Sequence, residues 1–276
     1  MTQQRIFFNA SLPRAGSTLL SNIIGHHPQF YASPTSALID LMLGARIGYN
    51  DAPSTAYTNT DTWKRGFLNY CRFGLHGFMQ AVTDKPCYLD KSRMWGPYYD
   101  LLNQIIPNPR VVIMVRDLRA IYSSMEKKFR QNPDIDPKIM NNMDMTGITT
   151  DQRVGIWSQT HPTGYTVIKL QEMILQKLDK SVLFFRYEDF CQAPDEHMKR
   201  LYEFFQVEYF QHDWNNIQQM TSENDEAHGI FGDHKIRTKL EQTPDDFKEV
   251  LGVQTCNRIV NENRWFYDYF RYNRYL

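Results

Sequence analysis

SLPRAGSTLLSNIIGHHP, Ser11 to Pro28, is the stretch that decides the fold. The run before and into it, Ile6–Leu12, has the length and apolar character of a strand. After Gly16, the residues Leu19, Leu20, Ile23 and Ile24 fall on one face of a helix over Ser17–His26, which Pro28 stops. Strand, glycine turn and helix in that order bring backbone N–H groups and the positive end of a helix dipole to one point, a setting that favours an anion. Ser17 and Thr18 add hydroxyls, and Arg14 adds a permanent charge with a planar fork suited to oxyanions. The same composition also fits a capped core helix behind a tight turn.

A nucleotide-kinase loop needs G-x-x-x-x-G-K-[ST], with lysine on the terminal phosphates and a hydroxyl on magnesium. Here Ser17 follows Gly16, Ser11 occupies the place of the upstream glycine, and the basic residue precedes the glycine. The cradle is kept while the metal-centred triphosphate chemistry is not.

Outward from this stretch, short apolar runs alternate with helical patterns. Strands are expected at Ile6–Leu12, Phe30–Ser33, Cys87–Leu89, Val111–Val115 and Val182–Phe185, and helices at Ser17–His26, Leu118–Arg130, Asp151–Leu178, Pro194–Phe205 and Thr255–Phe270. Gly44–Asp61 and Gln131–Thr150 read as long polar loops. The pattern predicts one α/β domain over residues 1–276, three-layered, with a central, mostly parallel sheet of P-loop-NTPase-like topology.

Thirty-one basic residues balance thirty-one acidic ones, which argues against a partner such as nucleic acid or an anionic membrane surface. The runs such as VVIMV are too short to span a bilayer. Cys71, Cys87, Cys191 and Cys256 have neither metal nor redox spacing, and the opening MTQQRIFF lacks a secretory pattern. A soluble cytoplasmic protein is expected. The tail RWFYDYFRYNRYL interleaves aromatic and basic residues, but the helical spacing of Trp265, Phe266, Tyr269 and Phe270 favours a docking helix, against the sheet or against a second subunit in a homodimer, over RNA stacking.

A second motif, RVVIMVRDLRAIYSSM, runs from a strand through Arg116 into a helix carrying Ala120 and Ser124 on one face, so that Arg116 and Ser124 can close on one phosphate. The competing reading makes Asp117 a metal carboxylate, which Arg116 beside it opposes. PRAGSTLL, VRDLRAIYSSM with Arg and Ser eight apart, and FFRYEDF together resemble the sulfotransferases that use 3′-phosphoadenosine 5′-phosphosulfate (PAPS), in the branch related to protein-tyrosine sulfotransferases, whose loop carries arginine. PRAGSTLLSNIIGHHPQFYASPTS and LDKSRMW are similar to a widespread bacterial and viral group within that branch. The match runs from Phe7 to about Trp214.

The resemblance implies that Arg14, Ala15, Gly16, Ser17 and Thr18 hold the 5′-phosphosulfate, that Arg116 and Ser124 hold the 3′-phosphate, that Tyr187 lies by the adenine, and that Lys235 and Arg237 in GDHKIRTKL form a late basic loop over the 3′-phosphate. PAPS is then the sulfuryl donor and the desulfated PAP the product, with no metal. The acceptor is left open: the hydroxyl or amine of a small molecule, carbohydrate or peptide. Transfer requires cations at the leaving oxygen and a base on the acceptor. Arg14 and Lys91 suit the first role. The base is absent from the positions the relatives use, which here hold Thr35 and Arg93; Asp40, Asp90, His26 and His27 are the substitutes available. A P-loop-type nucleotide or small-molecule kinase and a catalytically silent nucleotide-binding module are the alternatives.

Overall fold

A computed structural model describes residues 4–53, 55, 60–131, 145, 147–225 and 233–275. Five strands form one parallel sheet: β1 (Arg5–Asn9), β2 (Phe30–Thr35), β3 (Cys87–Lys91), β4 (Val111–Val115) and β5 (Val182–Arg186), in the order β2-β3-β1-β4-β5. β1 and β4 are nearly continuous apolar runs because both their faces are covered: Phe7, Phe8 and all of Val111–Val115 are buried. The chain moves from β1 toward β2 on one side and from β4 toward β5 on the other, so the direction of winding reverses between β1 and β4. In open α/β sheets ligands sit beyond the carboxyl ends of strands at such a point.

Helix α1 (Ser17–Gly25) packs on β2 and β3. The loop expected from Gly44 is in its first part helical: α2 runs Leu38–Asp51 and buries only Leu38, Ile39 and Met42. Glycines at 44 and 48 and a sparse apolar stripe hide it from periodicity. α3 (Asp61–Val82), capped by Thr60, is likewise thinly striped, with Cys71, Leu75 and Met79 as its buried residues. The short α4 (Tyr99–Ile105) precedes β4. α5 (Leu118–Gln131) carries the strong amphipathic pattern expected of it. Most of the loop expected over Gln131–Thr150 lies outside the described residues.

The single helix expected over Asp151–Leu178 is two: α6 (Thr150–Trp157) and α7 (Thr163–Leu175). Pro162 supplies no N–H, and the intervening turn redirects the chain so that Thr160, His161 and Pro162 face a cleft. α8 (Tyr187–Gln192) and α9 (Pro194–Phe205) follow β5. α10 (Phe247–Leu251) and α11 (Val253–Glu262) pack against α5. The expected terminal helix breaks at Asn263, whose Nδ2 donates to the Ile259 carbonyl at 2.9 Å, and resumes as α12 (Arg264–Tyr269).

The aromatic tail docks on its own chain. Phe266 and Tyr267 are fully buried, and Phe270 packs edge-on to Phe184 of β5. Tyr267 donates to Asp117 at 3.0 Å and Tyr272 to Glu188 at 2.8 Å, while Arg119 grips Asp117 and the carbonyls of Asn273 and Tyr275. These bonds fasten the chain's last turn beside Arg116. Among the described residues no helix is long and apolar enough to cross a membrane.

Candidate active site

A cleft of about 490 Å³ opens at the carboxyl ends of β1, β3 and β4. Its floor is the turn after β1. Arg14 and Gly16 both have left-handed backbone, φ 57° and φ 95°, on either side of Ala15. Alternation of this kind turns successive N–H groups toward one concave point. Gly16 precedes α1 without a side-chain cap, so the first-turn N–H groups are left for a ligand. A Cβ on Gly16 would come to 3.1 Å from the Tyr187 ring, which closes the cradle from above. Arg14, Ser17 and Thr18 line the cleft, whereas Ala15 is buried beneath it.

The side chains at the end of β4 differ in detail from the expected pincer. Arg116 lines the cleft, donates to the Arg14 carbonyl at 3.1 Å and lies over the Tyr187 ring at 4.8 Å. Ser124, one helical turn and more along α5, accepts from Arg14 Nε at 3.0 Å. Arg14 thus stands between the two partners and ties the loop to them; Asp233 pairs with it at 3.2 Å and with Lys128 at 2.9 Å. Tyr187 is the first residue of α8 and donates toward the 241–243 segment. Asp117 is engaged by Arg119 and Tyr267, so its carboxylate is committed to the fold. Among the described residues no group of three or more His, Cys, Asp or Glu side chains could hold a metal ion.

Lys91 ends β3 next to Thr35 of β2, its register partner. Lys91 Nζ donates to Thr18 Oγ1 at 3.0 Å and pairs with Glu223, not with Asp90. The other Glu223 oxygen accepts from Thr35 Oγ1 at 2.6 Å and faces His234 Nε2 at 3.2 Å, while His234 Nδ1 lies 2.6 Å from Asp225. Burial works to raise the Glu223 pKa, but Lys91, Thr35 and His234 outweigh it and hold the carboxylate below its usual range. Sequence reasoning missed Glu223 and His234. Neither sits in a periodic element, and the one signal was the chemical gap at Thr35, a strand-end hydroxyl beside a buried lysine. Lys235 and Arg237, which follow His234, also line the cleft.

The other candidate bases stand elsewhere. Asp40 is exposed on α2 and outside the cleft lining. His26 and His27 lie at the far end of α1 from the loop, bonded to the backbone of Gln218 and Glu208. Asp90 points away from Lys91 by strand alternation, is fully buried, and accepts from Trp95 Nε1 at 2.7 Å. Burial pushes its pKa up to about 6. Below about pH 4 the carboxyl is neutral in both folded and unfolded chains; as pH rises through 6 the folded state bears the cost of a buried charge, about 2–3 kcal/mol for a shift of roughly two units. Asp90→Asn keeps the acceptor for Trp95 and removes the charge. It is expected to melt several degrees above the wild type at pH 8 and at the same temperature near pH 4. A wild type that melts higher at pH 8 would refute this account of Asp90.

The sheet order and the turn between β1 and α1 describe an α/β domain of the P-loop-like kind. A model of the sulfotransferase family matches residues 7–211, and the chain belongs to that family. It is 22% identical over 219 residues to a Caenorhabditis briggsae protein named "Putative protein-tyrosine sulfotransferase", covering 75% of this chain and 68% of that one. Among solved structures, the sulfotransferase domain from the curacin biosynthetic pathway superposes with a TM-score of 0.53 at 16% identity, over 94% of this chain and 96% of that one. Glu223 and His234 lie beyond the stretch the family model matches.

Proposed function

We propose that this chain moves the sulfuryl group of PAPS to a hydroxyl or amine of an acceptor. The observation that carries this reading is the pairing of two cationic positions around one uncapped helix start: Arg14 with the Gly16 turn, and Arg116 over Tyr187 against the same loop. A nucleotide with phosphate groups at both its 5′ and 3′ positions needs two such places. The residues fit it: a glycine-only cradle beneath Tyr187, an α1 start without a side-chain cap, and Lys235 and Arg237 lining the same cleft.

The donor supplies an activated sulfuryl group whose departure leaves negative charge on a phosphate oxygen. Arg14 and the α1 N–H groups bind and orient the 5′ end. Lys91, 3.0 Å from Thr18, brings a positive charge to the side of the loop nearest the acceptor. Glu223 fixes that ammonium in place and, with Thr35 and His234, forms the polar wall on which an acceptor proton can be handled.

Calorimetry tests the reading directly. PAP should bind on the order of 10²-fold more tightly than AMP, because its 3′-phosphate adds charge-assisted hydrogen bonds. Affinity should be the same in excess EDTA. Equal affinity for AMP and PAP, or ATP binding that depends on magnesium, would move the chain to the kinase alternative.

A further inference from the structure

Lys91 and Arg93 flank Ser92, whose backbone is extended at φ −152°, ψ 127°. Side chains two residues apart on extended backbone leave it on the same side, and both line the cleft. Their situations differ. Lys91 has Thr18 and Glu223 as partners. Among the described residues the Arg93 guanidinium makes no hydrogen bond or ion pair; Asp40 and Glu223 act on it only through space, and burial works against its charge. Arg93 is only partly buried, and its donors are left to solvent or to a ligand in the cleft.

The wall near it has the same deficit. His161, in the turn between α6 and α7, lies close enough to feel the Arg93 charge. Trp157, four residues earlier, lines the cleft at 1% exposure, and its indole Nε1 is buried without an acceptor. The neighbouring lining residues Met125, Ile156 and Pro162 are apolar. An unpartnered guanidinium beside an apolar wall is complemented by an oxyanion on an apolar stem.

We propose that Arg93 and the Trp157–Pro162 turn form the acceptor subsite, and that it takes a carboxylate. The acceptor is then a small hydroxy acid with an aromatic or apolar body, its carboxylate on Arg93 and its hydroxyl toward Lys91. This assignment rests on the sulfuryl-transfer reading for its meaning, but the subsite can be tested without transfer.

The probes are 4-hydroxyphenylacetate and its amide, which share shape and differ in charge. Their binding is measured by calorimetry to the protein alone and to the protein saturated with PAP. The acid should bind at least on the order of 10-fold more tightly than the amide, the range of a hydrogen bond to a charged group. Arg93→Gln should bring the two to equal affinity while PAP binds as before, and Arg93→Lys should keep part of the preference. Acid and amide binding equally, a preference that survives Arg93→Gln, or binding of neither probe would overturn the subsite. Failure to bind PAP, by contrast, defeats the donor reading alone, since the acid–amide difference on the free protein still decides the role of Arg93. A melting scan of both variants separates a lost subsite from a lost fold.

Discussion

Lys91→Ala is expected to lower sulfuryl transfer by on the order of 10²–10³ while PAP affinity stays within a few-fold of the wild type. Charge on the leaving oxygen develops as the bond to sulfur breaks, so a cation beside the loop acts chiefly in the transition state, and its removal appears in turnover more than in binding. A second effect follows from the pair it belongs to. The Lys91 and Glu223 side chains are 5% and 1% exposed. Deleting the ammonium alone leaves a buried carboxylate without its main counter-charge, a loss on the order of 3 kcal/mol. Removing both charges in Lys91→Met with Glu223→Gln costs less, because no uncompensated ion remains. The double variant should therefore recover most of the melting temperature and none of the transfer rate. Single and double variants of equal stability would show that the pair is not coupled, and a Lys91→Ala protein with wild-type turnover would remove Lys91 from the chemistry.

Arg116→Ala is expected to erase most of the preference for PAP over AMP, a change on the order of 10² in the ratio of their affinities. AMP itself should be affected far less. The structure adds a qualification to the simple loss of a charge. Arg116 also holds the Arg14 carbonyl and lies over Tyr187, so its planar shape matters as well as its sign. Arg116→Lys should restore only part of the preference. If PAP still outcompetes AMP by the full factor in Arg116→Ala, the 3′-phosphate is held elsewhere, with Lys235 and Arg237 the next residues to change.

The parts of this molecule legible in the sequence are those whose causes are local. The β1–Gly16–α1 turn shows itself because a glycine between a strand and an amphipathic helix has few other uses, and β4 because an all-apolar run of five fits a strand covered on both faces. Lys91 stood out by its place just after the expected strand Cys87–Leu89 and by the resemblance to the related families. The helices α2 and α3 were not found, since each presents too few apolar residues for a period to emerge. The break at Pro162 was available in principle, because a proline inside a helical pattern ends it. Glu223 and His234 were out of reach for a different reason. They belong to a segment without regular structure, and Glu223 meets Lys91 across 132 residues of chain. No spacing rule connects residues that only the completed fold brings together. The gap left at Thr35 announced that something was missing without saying from where it would come.

The fastening of the chain's last turn has a practical consequence. Arg119 holds the carbonyls of Asn273 and Tyr275, and Tyr272 braces Glu188, whose other oxygen receives the N–H of Asp117. The tail is thus a splint on the corner that carries Arg116. Substitutions that release residues 272–275 from this corner, Arg119→Ala or Tyr272→Phe, are expected to loosen the cleft at Arg116 although neither residue lines it. The amino ends of the strands lie at the opposite end of the sheet from the cleft, and changes made there leave the splint in place.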